Sequence, residues 1–231
     1  MKTLRLIPLI LILASLSCNK VPGEITKGEW HYRLMVNGVR AGSAVITSGE
    51  KDGMLVNRTA MSIKLGTIKN SSIQTVTETK DFRPVRLEIV NTMEDTSSGS
   101  RHLITRIAEF SENTVTLDSD GTKAVYKVPG PFIIEGEFFT DSLVRGRFKE
   151  GMEVRARLYE PTVAADKTIL VIVNVAGRKN ITVAGKERSL IHVRTRFEKL
   201  KSVDEYLDDS GVTQKMVIKM LNNIFELERI D

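Results

Sequence analysis

From Trp30 onward, apolar and polar residues alternate in short runs rich in Val, Ile and Thr, cut by clusters of Gly, Asn, Asp and Ser. A period of two is the mark of half-buried strands. It predicts strands near 29–36, 41–48, 53–66, 69–79, 85–94, 101–110, 113–118 and 122–128, then near 152–159, 167–176, 179–184, 189–198, 203–207, 213–220 and 223–229. The breaks carry turn chemistry: Asn37-Gly38, Lys51-Asp52-Gly53, Asp118-Ser119-Asp120-Gly121, Gly177-Arg178-Lys179-Asn180 and Asp208-Asp209-Ser210-Gly211. Asn-Gly and Asp-Gly supply the positive φ of tight hairpins, and connections this short join antiparallel neighbours.

Three segments depart from simple alternation. Ile169-Leu170-Val171-Ile172-Val173 is a continuous apolar run, as expected of a central strand covered on both faces. Phe138 to Arg145, after Pro129-Gly130-Pro131, is the one good helical candidate beyond the N-terminal leader. Gln214 to Arg229 fits either an amphipathic helix or two strands, and Asn222-Asn223 at its middle favours the hairpin. The expected fold is therefore all-β, with curved antiparallel sheets forming a β-sandwich or an open half-barrel and one short helix. Residues 28–231 are expected to form a single domain, which the Pro129-Gly130-Pro131 break divides into halves of similar plan, 28–128 and 132–231.

The N-terminus follows a different logic. Lys2 and Arg5 precede an apolar run from Leu6 to Leu16, and small Ser17 precedes Cys18. This is the layout of a signal peptide over residues 1–17, too short for the roughly 20 residues of a comfortable membrane span. Ser15-Leu16-Ser17-Cys18 resembles a bacterial lipoprotein cleavage box, with Leu16 one place later than usual. The resemblance implies acylation of Cys18 and a tether over 18–27 carrying the domain. A plain signal peptide with an incidental cysteine is the competing reading. An unpaired exposed thiol is a liability in an oxidising compartment, which favours acylation. Asn19 after the cysteine, by analogy with enteric bacteria, favours the outer membrane, with the domain facing the periplasm.

Composition narrows the function classes. Apolar residues make up 41% and charged residues 27% of the 231, which excludes a disordered tail or a disulfide scaffold. Loss of Lys2 and Arg5 with the leader leaves 32 basic against 29 acidic residues, a net of +3. So small an excess argues against a nucleic-acid partner. His31, His102 and His192 are widely spaced, without a second Cys or a zinc motif. No nucleophile elbow or phosphate loop occurs. The sequence thus points to no catalytic residue, metal site or cofactor. Glu135/Glu137 and Asp208/Asp209 read as like-charged neighbours on a solvated face.

Arg-x-Arg pairs remain at Arg145/Arg147, Arg155/Arg157 and Arg194/Arg196. On a strand each pair points to one face. Were the strands bearing Arg155, Arg157, Arg194 and Arg196 neighbours, four guanidinium groups would gather where they could hold an anionic headgroup. The same pairs also fit a solvated outer face neutralised by nearby Glu and Asp.

Asn37-Gly38-Val39-Arg40-Ala41-Gly42-Ser43-Ala44 resembles the G-x-x-x-G-x-A opening of exported bacterial β-proteins in the domain-of-unknown-function family numbered 3108. Phe148-Lys149-Glu150-Gly151-Met152 and Asp209-Ser210-Gly211-Val212 are similar to the β-region preceding transglutaminase-like domains in bacterial envelope proteins. The resemblance implies a curved antiparallel β fold in the cell envelope and transfers no catalytic residue. The expected function is a non-catalytic envelope lipoprotein, held to the membrane through Cys18, that binds an amphipathic or hydrophobic ligand such as a lipid. The alternative is a protein-interaction module or scaffold in an envelope assembly.

Overall fold

The computed structural model describes residues 24–220 and 222–231. The leader, Cys18 and the first part of the tether lie outside the described residues. Fourteen strands follow in chain order: β1 (Gly28–Val36), β2 (Val39–Lys51), β3 (Met54–Leu65), β4 (Ile68–Glu78), β5 (Pro84–Asp95), β6 (Ser100–Ser111), β7 (Thr114–Ser119), β8 (Thr122–Lys127), β9 (Glu153–Tyr159), β10 (Thr168–Val183), β11 (Lys186–Phe197), β12 (Lys201–Leu207), β13 (Thr213–Met220) and β14 (Asn223–Arg229). One helix, α1 (Phe138–Arg145), precedes β9. All fourteen strands belong to one antiparallel sheet in the order β8-β7-β6-β5-β4-β3-β2-β1-β14-β13-β12-β11-β10-β9. The architecture is one curved open sheet rather than a sandwich. Each half is a meander of local hairpins, and the chain's first and last strands join them, with Leu34 opposite Leu227 and Val36 opposite Phe225.

Strand boundaries follow the alternation closely because the inward phase is unbroken in most strands. Trp30, Tyr32, Leu34 and Val36 are all buried in β1. The segment 213–229 is a hairpin, β13–β14, with its turn near Asn222-Asn223. Two expectations are corrected. The stretches 167–176 and 179–184 form one strand, because Gly177-Arg178 makes a bulge rather than a turn. There Ala176 and Gly177 oppose the single residue His192, and Gly177 takes φ +96° with the Glu150 carboxyl against it. The apolar run 169–173 lies in β10, second from the sheet edge rather than central. Leu170 and Ile172 are only half-buried there.

The G-x-x-x-G-x-A stretch acts on the backbone. Gly38 supplies φ +79° to the β1–β2 turn. At Gly42 a Cβ would fall 1.8 Å from the Ser62 carbonyl oxygen, so only glycine lets β2 approach β3 there. Ala44 is buried between Tyr32 and Met61, where a larger side chain would displace both.

Curling brings the far end of the sheet onto the first half. Tyr159 at the end of β9 packs with Val76, Leu87 and Ala108 of β4, β5 and β6. Its ring meets Phe110 edge-on at 5.6 Å between centroids. The connection 128–137 fills the gap: Val128 and Ile134 are fully buried, and Ile133 bridges to β9 through Ile133 N–H to Arg157 O and Tyr159 N–H to Ile133 O, each 2.8 Å. α1 then lays Leu143 against β9–β12, in the cluster of Val173, Val193 and Leu207.

Candidate functional site

The curl leaves a cavity of about 420 Å³ between the two halves of the sheet. Its volume lies in the range of about 300–1,000 Å³ typical of small-molecule sites. One wall comes from β9–β14 and is mainly apolar: Leu158, Val173, Val193, Val203, Met216, Ile218 and Leu227 all face inward. The register explains this alignment, since Val173, Thr195, Val203 and Ile218 lie in one row across β10–β13. The facing wall, from β1–β4, is mixed. Trp30, Tyr32, Ile46 and Met61 give apolar surface, while Asn57, Thr59, Ser72 and Gln74 offer polar groups. Parts of the loop and α1 between Glu135 and Leu143, the segment Gly211-Val212-Thr213 and Ile25-Thr26 add to the lining. The end of the tether is therefore seated on the domain, and the Thr26 hydroxyl donates to Ser210 O at 2.9 Å.

The charge inside is acidic. Glu135, Glu137 and Glu205 line the cavity, and Lys201 is the single basic lining residue among the described residues. Lys201 Nζ lies 4.0 Å from a Glu135 carboxyl oxygen and 4.3 Å from the Phe197 ring centroid. Glu137 accepts a 2.8 Å hydrogen bond from Asn57 Nδ2. Glu205 accepts one from the Thr213 hydroxyl. Burial pushes the Glu205 carboxyl above its ordinary value, and the charges of Glu137 and Glu135 add to the rise. The side chain keeps some accessible surface, but that surface faces the cavity.

Just behind the lining, Glu78 is 1% exposed at the end of β4. Its Oε1 accepts the Glu137 backbone N–H at 2.8 Å, and its Oε2 has no hydrogen-bond partner. A Cβ on Gly136 would sit 2.5–2.7 Å from this carboxyl, so glycine is required for the loop to close over it. Burial raises the Glu78 pKa to about 7, helped by the Glu137 charge and opposed by the Glu137 N–H. Tyr32, whose hydroxyl donates to Thr213 O at 3.0 Å, is likewise pushed up, by burial and then by Glu205.

The arginines singled out from the sequence lie elsewhere. Strands β9 and β11 are not neighbours, because β10 runs between them. Arg155 and Arg196 are both opposite Ile172, and Arg194 is opposite Asn174, so the pairs do share one face. That face is the outer one, in the opposite phase to Val173 and Val193, and none of Arg155, Arg157, Arg194 and Arg196 lines the main cavity. Arg155 pairs with Glu153 at 2.6 Å and Arg194 lies 3.7 Å from Asp204, while Arg157 reaches the Thr168 hydroxyl at 3.5 Å. Arg155 and Arg157 border a shallower groove against Pro131 and Phe132.

The histidines occupy three separate strands. His192 is buried on the outer face, its Nε2 2.8 Å from Asp204 Oδ1 and its ring stacked on Tyr206 at 4.8 Å. Among the described residues, no group of three or more His, Cys, Asp or Glu is arranged to hold a metal ion.

Glu135 and Glu137 do not sit on a strand. They belong to the loop leading into α1, where Glu135 is exposed and Glu137 is 7% exposed. Glu78 and Glu205 were missed by the sequence reading although a signal was present. Glu78 falls in phase with buried Val76, and Glu205 falls in phase between buried Val203 and Leu207. A carboxylate in an inward phase is a marked position.

This geometry defines a barrel-like open β-sheet protein with an internal, amphipathic, acidic cavity. A similar fold is found in the crystal structure of a β-barrel-like protein of domain of unknown function DUF1849 from Brucella abortus, with a TM-score of 0.66 at 11% identity over 90% of this chain and 97% of that one. A DUF1089 family protein from Pseudomonas aeruginosa aligns at 12% identity over 78% of this chain and 84% of that one, with a TM-score of only 0.27. No family model matches the chain, that of family 3108 included. No curated protein matches it either.

Proposed function

We propose that the protein is a non-catalytic cell-envelope lipoprotein that binds an amphipathic or hydrophobic ligand inside the curled sheet. The observation carrying this reading is the cavity of about 420 Å³, with one largely apolar wall and a minority of polar groups on the other. A preformed space of that composition suits a molecule with an apolar body and a polar end. Each methylene moved from water onto such a wall contributes about 0.8 kcal/mol, so even a medium-length chain is held. The Cys18 anchor would place the cavity beside the bilayer from which such a ligand comes.

The test is native mass spectrometry of the mature chain carrying Cys18→Ser, followed by organic extraction. A co-purifying amphiphile, released by the extraction and reduced in a cavity-filling variant, is expected. An empty protein that also takes up none of a panel of added amphiphiles refutes the reading.

A second reading, an interaction module in an envelope assembly, is favoured by one observation. The ends of β3–β5 carry Leu65, Ile68 and Met93 at 51%, 39% and 48% exposure, an apolar group outside the packed core. In-cell crosslinking from position 68 tests it; recovery of monomer alone counts against it.

A further inference from the structure

The proposed ligand has a polar end, and the cavity specifies its charge. Three carboxylates line the space, yet no ion pair involves Glu137 or Glu205, or Glu78 behind them, among the described residues. Their hydrogen bonds come from neutral donors: the Asn57 amide, the Thr213 hydroxyl and the Glu137 N–H. Lys201, the single basic lining group among the described residues, leans toward Glu135 and the Phe197 ring. Glu78, whose Oε2 has no partner, lies behind Gly136 and is not part of this lining. Buried carboxylates without cations are costly. Glu137 and Glu205 thus face an apolar space with neutral hydrogen-bond partners and no cation paired to them among the described residues, an arrangement that suits a ligand bringing a positive charge.

We infer that the occupant is a cationic amphiphile, an alkyl chain ending in an ammonium group, with its tail on the β10–β14 wall and its head among Glu135, Glu137 and Glu205. The inference rests on the proposed ligand-binding role of the same cavity and adds the headgroup. An ammonium supplies up to three donors, and Thr59 and Gln74 on the facing wall can accept what the carboxylates do not. Trp30 and Phe139, also in the lining, offer ring faces to a methylated ammonium. An anionic head would enter a space lined by three carboxylates and one lysine among the described residues. The four outer arginines do not alter this, since they lie across the sheet from the cavity.

The protein's overall charge works in the opposite direction, which makes the test sharp. With 32 basic against 29 acidic residues once Lys2 and Arg5 are removed with the leader, a net of +3, non-specific attraction favours anionic amphiphiles. Trp30 is the only tryptophan and it lines the cavity, so its emission reports occupancy directly. The mature Cys18→Ser chain removes the acylation site and retains every described lining residue. Dodecyltrimethylammonium, dodecanol and dodecanoate, each below its micelle concentration, are titrated while Trp30 emission and heat are followed.

The expected result is tightest binding for the ammonium, about tenfold or more over dodecanoate. The preference should shrink toward unity in Glu205→Gln and in Glu137→Gln, each of which keeps its hydrogen-bonding shape. Equal or tighter binding of dodecanoate or dodecanol overturns the headgroup inference and leaves the cavity reading standing. Failure of all three to bind overturns both. An ammonium preference that survives in the Glu137→Gln/Glu205→Gln double variant, with circular dichroism unchanged, overturns the assignment to these carboxylates.

Discussion

Glu78 makes the stability of this fold depend on pH in a direction opposite to that of most carboxylates. Its pKa rises from 4.5 to about 7 in the folded chain because its carboxyl is sealed under Gly136, away from water. The folded state therefore holds the proton more tightly than the unfolded chain does. Whatever Glu78 contributes is fully present below about pH 4.5 and is lost as pH rises through about 7. At about 1.4 kcal/mol per pH unit between the two values, the loss is on the order of 3 kcal/mol by pH 8. Glu78→Gln keeps an acceptor for the Glu137 N–H and cannot ionise. Urea unfolding at pH 5 and pH 8 separates the two proteins. At pH 5 they should be nearly equally stable. At pH 8 the variant should be the more stable by a few kcal/mol, with a flatter slope between. The acidic residues whose values are lowered, Glu50, Asp95, Asp204, Glu228 and Asp231, titrate below this window, and the raised Glu205 is common to both proteins and cancels in their difference. Parallel pH profiles for wild type and Glu78→Gln would refute the reasoning.

Further outcomes are expected. Gly42→Ala forces a Cβ to within 1.8 Å of the Ser62 carbonyl; it should cost about 3 kcal/mol or more and lower Tm by roughly 10 °C, and a calorimetric scan within error of wild type would contradict the close approach. Val193→Phe adds volume facing Glu205 across the β11–β12 pair and should cut ligand recovered by extraction several-fold while leaving the circular-dichroism spectrum unchanged. Asp204→Ala strips the partner from His192 Nε2 when Nδ1 already has none; the cost should be about 1–3 kcal/mol, measured by urea unfolding at pH 7, with Asp204→Asn costing less. The Asp204 pKa is lowered because bonds from His192 and Lys219 outweigh the cost of its burial. Its stabilisation is therefore present near neutral pH and fades as pH falls through the depressed value, and the wild-type advantage over Asp204→Ala should shrink toward acid.

Particular residues show where reading the sequence stops. The alternation of Trp30, Tyr32, Leu34 and Val36 fixes an inward face without reference to any partner, because adjacent side chains on a strand must point opposite ways. Asn37-Gly38 likewise fixes a hairpin, and Phe138–Arg145 a helix, from local chemistry. The Gly177 bulge could not be told from a turn, since both use a positive φ and only the pairing of β11 with β10 separates them. Glu135 and Glu137 show a deeper limit. As a pair they resemble any solvated acidic stretch, and only Asn57, some eighty positions earlier, makes one of them buried and bonded.

What the chain determines by itself is therefore a set of hairpins, each with an inward phase, and the acids Glu78 and Glu205 lying in that phase. The tertiary structure decides how far the sheet curls, which strands meet at β1 and β14, and that the loop carrying Glu135 and Glu137 shares one space with Glu205 of β12. The outer position of the arginines, with β10 between the two pairs, is settled at the same level. The physical reason is that side-chain direction along a strand is a property of the local backbone. The curvature that encloses a cavity and the charge inside it are instead sums over contacts between residues far apart in the chain.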